Sequence, residues 1–164
     1  MRSLLLVRHA KSSWDDPSVP DFDRPLNERG KHDAPMMAKR LLNKKVAIQG
    51  FVSSPARRAR KTASLFASAY GFQKEDIILE PALYQAEAKT FYEVIAQLPD
   101  AAKHIAIFSH NPGITEFVNT LTHVRVDEMP TCAVYAITSE AHSWANFQEA
   151  SRAFWFFEYP KKQA

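Results

Sequence analysis

The apolar run Leu4-Leu5-Leu6-Val7 ends abruptly in the polar pair Arg8-His9. An apolar run without polar alternation predicts a strand that is buried on both faces, as in a parallel sheet. Open α/β sheets bind their ligands at the carboxyl ends of the strands. We therefore expect Arg8 and His9 at such an edge, where a histidine can act as nucleophile or base and an arginine can hold an oxyanion.

The rest of the chain alternates between strand and helix patterns. A helix is expected after the cap residue Asn27, and two others after Ser54-Pro55 and Asn111-Pro112, where a polar cap precedes a proline. A further helix is predicted over 89–98, and the Asp- and Pro-rich segment 15–25 is expected to be a loop. Further strands are expected over 51–52, 77–79, 104–108, 132–137 and 154–157. This order predicts an α/β fold, a three-layer α/β/α sandwich around a mostly parallel sheet.

Composition limits the classes of protein to consider. The 164 residues, of which 46% are hydrophobic and 24% charged, predict one globular domain over 1–164. The lone Cys132 excludes an internal disulfide, and neither a signal peptide nor a membrane-length apolar run is visible, so we expect a cytoplasmic protein without a membrane partner. The formal charge of +3 suits an anionic ligand. Nucleic acid is not expected, because no long Lys/Arg run or reader motif occurs.

Polar residues follow three of the predicted strands. The first strand leads into Arg8-His9, the second into Ser53-Ser54 and then Arg57-Arg58, and the fourth into Ser109-His110. In a parallel sheet these ends meet at one edge, and two of them lie at helix N-termini, which favour an anion. Two arginines and two histidines gathered in this way predict a cradle for a dianionic phosphoryl group.

The predicted second helix breaks a local rule. Arg57, Arg58, Arg60 and Lys61 crowd its N-terminal turns, where cations are unfavourable. Arg60 and Lys61 are interpreted as a solvated basic face. Arg58 is expected to reach a pocket, because the small residues around it permit close packing.

Four segments together resemble the histidine phosphatase superfamily, and most closely its short branch, the SixA-type phosphohistidine phosphatases. The resemblance implies that His9 is the nucleophile and that Arg8, Arg58 and His110 complete the phosphate pocket. It favours Arg58 over Arg57, because the family arginine precedes a small residue and lies four residues before Thr-Ala. The segments are Arg8–Trp14 (RHAKSSW), Asp23–Gly30 (DRPLNERG), Ser53–Ala63 (SSPARRARKTA) and Ser109–Gly113 (SHNPG).

The chain departs from the superfamily pattern at the residue after His9 and at positions of polar residues that contribute to the site in relatives. Ala10 stands where the superfamily commonly has glycine, as is usual in the SixA branch. Many relatives carry a glutamate general acid beyond the third strand, but neither Glu80 nor Glu87 falls clearly at that position, and both are expected to be solvated. Asp15 stands where many relatives place a phosphate-contacting asparagine. It is a candidate substrate-binding residue, although a carboxylate repels phosphate unless it is protonated or turned away.

A site without a dedicated acid favours a good leaving group. Imidazole, with a conjugate-acid pKa of about 6.5, needs less protonation than an alkoxide. The sequence therefore favours phosphohistidine in a protein, for example a histidine-phosphotransfer domain. We expect His9 to be neutral for attack and His110 to be protonated to hold phosphate, with no metal or cofactor.

Two alternatives remain open. A small-molecule phosphomonoesterase of the same superfamily would act on a phosphorylated metabolite. A phosphate-binding module without turnover would keep the arginines, although simple binding needs no nucleophile. A cysteine phosphatase is excluded because no arginine follows Cys132 at the required spacing of six; Thr138 stands there.

Overall fold

The structure, a computed structural model, describes residues 1–162, so the last two residues of the domain expected over 1–164 lie outside the described part. The strands are β1 Arg2–Arg8, β2 Gly50–Ser53, β3 Ile78–Leu79, β4 His104–Ser109, β5 Val134–Ser139 and β6 Arg152–Glu158. The α-helices are α1 Glu28–Asn43, α2 Arg57–Ala69, α3 Ala88–Ala96 and α4 Gly113–Val118. No helix in this described range combines the length and the apolar character that a bilayer crossing requires.

The six strands form one sheet in the order β3-β2-β4-β1-β5-β6. β3, β2, β4 and β1 run parallel to one another, whereas β5 pairs antiparallel with β1 and β6 pairs antiparallel with β5. The prediction of a mostly parallel sheet is confirmed. The local connections β2-α2-β3 and β3-α3-β4 explain it, because a strand that returns parallel needs a helical crossover.

Helices cover both faces of the sheet. On one face Leu5 and Val7 of β1 join a buried cluster with residues of α1 and α2. On the other face Leu4 and Leu6 join a second cluster with residues of α3 and α4. The alternation of β1 side chains between two cores explains its unbroken apolar sequence and confirms the predicted three-layer α/β/α arrangement.

Two predicted helix starts are wrong. α2 begins at Arg57 with Ala56 as the cap residue, and the Ser54 hydroxyl lies beside a histidine and accepts from the backbone N–H of Ala56, ahead of the helix. α4 begins at Gly113, and Pro112, which follows a cis peptide bond, lies before the first helical residue.

The predicted fifth strand starts too early. Cys132 has a φ of 62° and donates its backbone N–H to the carbonyl oxygens of Arg8 and His9. It therefore belongs to a turn that ties the end of β1 to the following segment, and β5 begins only at Val134.

Parallel register brings three strand ends together. Arg8 of β1 pairs with Ser109 of β4, and Ser53 of β2 pairs with Phe108 of β4. The residues that follow these ends therefore share one edge of the sheet. Gly113 helps to close this edge, because a Cβ at that position would collide with the carbonyl oxygen of Ala86.

Candidate active site

A cavity of about 720 Å³ opens at this edge of the sheet. Arg8, His9, Arg58 and His110 all line it. His9, Arg58 and His110 are buried, and the two imidazole rings lie 5.1 Å apart between centroids. The four residues singled out in the sequence are thus brought to one place from β1, the start of α2 and the end of β4.

The hydrogen bonds of His9 fix which nitrogen carries its proton. Nδ1 lies 2.7 Å from the carbonyl oxygen of Ala10, which can only accept, so Nδ1 is the donor. Nε2 accepts from Nε–H of Arg58 at 3.3 Å. Burial above all, together with the charges of His110, Arg58 and Arg8, lowers the pKa of His9 well below its ordinary value. His9 is therefore neutral at pH 7, with a lone pair on Nε2.

Arg58 is held by a carboxylate as well as by His9. Its Nη1 donates to the backbone oxygen of Asp21 at 2.6 Å, and its Nη2 donates to Oδ2 of Asp21 at 3.1 Å. Thr62, one turn later on α2, donates to the carbonyl of Arg58 and accepts from the backbone N–H of Ala10. This packing fixes α2 against the end of β1, while the neighbouring Arg57 is exposed to solvent.

Two residues that line the cavity each have a buried nitrogen with no hydrogen-bond partner within residues 1–162, namely Nε of Arg8 and Nδ1 of His110. Arg8 uses Nη1 to donate to the carbonyl of Met129 at 2.8 Å. Unpartnered buried polar atoms are rare in folded proteins. Their presence in a cavity lined by two guanidinium groups fits a site built to bind the oxygens of an anion.

The expectation of a protonated His110 is wrong for the free protein. Burial, followed by the charge of Arg58, lowers the pKa of His110 to about 3. His110 Nε2 lies 2.8 Å from Oγ of Ser54. When the Ser54 hydroxyl donates to Nε2, the neutral ring carries its proton on Nδ1, so His110 can donate to an anion without being charged.

Asp21, Arg24 and Tyr84 also line the cavity and form a network that sequence reasoning missed. Tyr84 donates its hydroxyl to Oδ2 of Asp21 at 2.6 Å, and Arg24 donates to Oδ1 at 3.2 Å. The hydrogen bond from Tyr84, and then the cation of Arg58, lower the pKa of Asp21 to about 2. Asp21 is thus a carboxylate at neutral pH and not a proton donor.

The acidic candidates from the sequence are placed differently from one another. Asp15 is exposed and is absent from the described lining of the cavity, so its contact with substrate stays a prediction. Its backbone N–H donates to Ser13 Oγ in a surface turn. Glu80 also lies outside this lining, whereas Glu87, exposed at the start of α3, is part of it. The acid that is hydrogen-bonded to Arg58 is Asp21, six residues after Asp15.

Comparison with known proteins places this geometry in a family. The family model of the histidine phosphatase superfamily (branch 1) matches residues 4–122. An uncharacterized chloroplastic protein of Arabidopsis thaliana is 32% identical over 152 residues, which cover 87% of this chain and 69% of the plant protein.

Solved structures share the whole fold. The protein histidine phosphatase SixA complexed with tungstate has a TM-score of 0.81 at 20% identity, over 96% of this chain and 97% of that chain. A mycobacterial glucosyl-3-phosphoglycerate phosphatase has a TM-score of 0.67 at 14% identity, over 94% of this chain and 97% of that chain. At these identities the likeness concerns the fold. Because the family match spans most of the chain, this protein belongs to the histidine phosphatase superfamily, branch 1.

Proposed function

We propose that this protein hydrolyses phosphohistidine in a phosphorylated protein, through a covalent phosphoryl intermediate on His9. One observation carries the proposal: a neutral His9 lies in a cavity in which Arg8, Arg58 and His110 supply the donors, and its Nε2 lone pair accepts from Nε–H of Arg58. Nε2 releases this hydrogen bond before it attacks phosphorus, and an oxygen of the phosphoryl group then accepts from the freed Nε–H of Arg58. Membership of the histidine phosphatase superfamily supports phosphatase chemistry. A SixA structure of the same fold was solved with tungstate, a tetrahedral oxyanion.

In the first step, Nε2 of His9 attacks phosphorus in line with the leaving nitrogen. The new P–N bond to His9 forms as the P–N bond to the substrate breaks, and the substrate leaves as neutral imidazole once its other ring nitrogen is protonated. Arg8, Arg58 and Nδ1–H of His110 stabilise the equatorial oxygens. The low pKa of an imidazolium, about 6.5, makes this departure possible without a dedicated acid.

In the second step, water attacks the phosphoryl group and His9 leaves. The hydrogen bond from Nδ1 of His9 to Ala10 keeps the proton on that nitrogen throughout. Phospho-His9 is therefore held in the form that expels a neutral imidazole. The proton lost by the attacking water ends on phosphate or in solvent, and the enzyme returns to its starting state.

We extend the proposal to the setting of the reaction. The chain acts as one catalytic domain over 1–164, without a metal or cofactor, because two guanidinium groups already supply the charge that transferring a phosphoryl group requires. Its lone cysteine, Cys132, is fully buried and has no second cysteine with which to form a disulfide, which suits a reducing compartment such as the cytoplasm. Activity that persists in excess chelator is the expected result.

Glu87 favours one second candidate, a small-molecule phosphomonoesterase. It is an exposed carboxyl that lines the cavity, and such a group can protonate an alkoxide leaving group. A mycobacterial glucosyl-3-phosphoglycerate phosphatase shares the fold. In that case Glu87→Gln would depress turnover of alkyl phosphates strongly.

Substrate comparison separates the two candidates. Phosphate release is measured with a phosphohistidine peptide, the same peptide carrying phosphoserine, and a small alkyl phosphate, with wild type, Glu87→Gln and His9→Ala. We expect the phosphohistidine peptide to be preferred, Glu87→Gln to retain that activity and His9→Ala to lose it. A preference for the alkyl phosphate that depends on Glu87 would replace the protein substrate with a metabolite.

A further inference from the structure

A second concave surface lies beside the active site and has no role in the chemistry above. This basic groove, about 620 Å³ in volume, runs along the outer face of α2 and is bounded by residues from 25–31 and 74–79. Arg57 lines the basic groove and Arg58 lines the active-site cavity, although they are neighbours in the chain. Arg24 lines the active-site cavity and Pro25 lines the basic groove, so the two surfaces are separated at two places by a single step along the chain.

Positive charge dominates the basic groove. Glu75 is the one acid among the described lining residues, which include five cations. Of these cations only Lys31 lies within 4 Å of a carboxylate inside residues 1–162, that of Glu28 at 3.6 Å. The five cations are Lys31, Arg57, Arg60, Lys61 and Lys74.

This charge arrangement is unfavourable for the free protein. Arg57, Arg60 and Lys61 lie three and four residues apart on the same face of α2, where like charges repel. They also occupy the N-terminal turns, whose helix dipole favours anions. An anionic partner seated in the basic groove would offset both effects.

The floor of the basic groove is apolar. The described lining includes the apolar residues Pro25, Leu26, Ile77 and Leu79. Leu79 belongs to β3, the edge strand of the sheet, and is 47% exposed. Aliphatic side chains surrounded by cations suit a polypeptide that carries both carboxylates and apolar residues. They do not suit a single-stranded nucleic acid, which is bound on aromatic stacking platforms, because no aromatic residue occurs in the described lining.

We propose that the basic groove docks an acidic segment of the phosphorylated protein substrate, next to the phosphohistidine that enters the active site. The inference rests on the proposed function and assigns it a recognition surface outside the phosphate pocket. Charges at the rim of an interface act mainly by steering the encounter and orienting the partner. Docking therefore lowers KM for an acidic substrate and leaves the chemical step unchanged.

The test uses charge reversal with a matched control. Lys61→Glu/Lys74→Glu reverses two cations of the basic groove, and Lys39→Glu/Lys103→Glu reverses two exposed lysines outside it. Substrates are a phosphohistidine peptide with several Asp and Glu residues, the same peptide with Asn and Gln, and free phosphohistidine. We expect the groove variant to raise KM for the acidic peptide about tenfold at low salt, with kcat and turnover of free phosphohistidine unchanged.

The control variant should match wild type on all three substrates. Equal KM values for the acidic and neutral peptides with wild type would overturn the docking proposal. An equal rise in KM for the control variant would also overturn the docking proposal, because it would show that only the net charge of the protein matters.

A binding measurement keeps this inference separate from the proposed function. Fluorescence anisotropy of the unphosphorylated acidic peptide reports on the basic groove without any turnover. Binding that is lost in Lys61→Glu/Lys74→Glu supports docking even if no phosphohistidine peptide is hydrolysed, a result that would overturn the proposed function alone. Binding unaffected by the reversal, or tighter binding of a labelled single-stranded oligonucleotide, would overturn docking.

Discussion

Arg57 and Arg58 are neighbours in the chain but lie on different faces of α2. Arg58 is buried and donates to His9 and Asp21, whereas Arg57 is exposed in the basic groove without a carboxylate within 4 Å in residues 1–162. A guanidinium fixed by several hydrogen bonds is preorganised to stabilise charge that develops in a transition state. An exposed, mobile one is suited to attracting a partner over a distance.

The comparison shows that two residues in the same turn of a helix can have separate roles, one in catalysis and one in recognition of a partner. The helical period of 3.6 residues sends consecutive side chains in directions about 100° apart. A run of basic residues on a helix therefore does not form one uniform surface patch. The role of each residue depends on the helix face on which it lies.

Substitution of the two arginines should test the difference between their roles most clearly. Arg58→Ala removes a donor to the transition state and should lower kcat on free phosphohistidine about a thousandfold. Arg57→Ala, the matched control, should keep kcat within about twofold, because exposed charges contribute little to a distant bond-making step. Steady-state kinetics with both variants checks this; similar losses would show that the two sides of α2 are not distinct.

Ser54→Ala tests whether the Ser54 hydroxyl fixes the tautomer of the neutral His110 ring. Loss of the hydroxyl removes the partner of Nε2 and frees the ring to adopt the other tautomer, so kcat should fall about tenfold, the value of one hydrogen bond. Ser54→Thr keeps the hydroxyl and should restore most of the rate. If Ser54→Thr is as slow as Ser54→Ala while both unfold like wild type, the hydroxyl does not position His110.

Asp21→Asn tests the role of the carboxylate that binds Arg58 and that Arg57 lacks. The carboxylate competes with phosphate for the Arg58 guanidinium, and it is half exposed, so its effect is screened. We expect product inhibition by inorganic phosphate to strengthen about threefold in Asp21→Asn. Asp23→Asn changes an exposed carboxylate of the same turn, outside the described lining of the cavity, and should leave inhibition unchanged.

The smallest expected effect is in the pH dependence. Neutral His9 is the reactive form, so activity is present above the pKa of His9 and is lost as the pH falls through it. Because burial moves that pKa well below 6.5, kcat/KM should change less than about twofold between pH 8 and 6.5. The measurement uses a stable aryl phosphate, corrected for the substrate's own ionisation near pH 6. Half-maximal activity at pH 6.5 would mean an unperturbed His9.

The ends of the strands could be predicted because the sequence pattern that marks them is local. Apolar runs followed by polar residues indicate where strands end, and parallel order brings Arg8, His9 and His110 to one edge. The central sheet and the layers followed from the same patterns.

The partners of these residues could not be predicted because they come from distant parts of the chain. Asp21 meets Arg58 across 37 positions and Tyr84 across 63, and no spacing rule connects them. Ser54 resembled a helix cap, but its hydroxyl pairs with His110, 56 positions away. The protonation of His110 was misjudged since its burial is a property of the packed fold.

The most direct test of the central claim is to trap the phosphoryl group on the enzyme. The protein is mixed with a phosphohistidine peptide, quenched in alkali within the first turnover and digested for mass spectrometry. The account predicts a phosphoryl group on the peptide that contains His9, bonded to Nε2, labile in acid and absent in His9→Ala. Full phosphate release by His9→Ala, or a phosphoryl group trapped only on another residue, would contradict it.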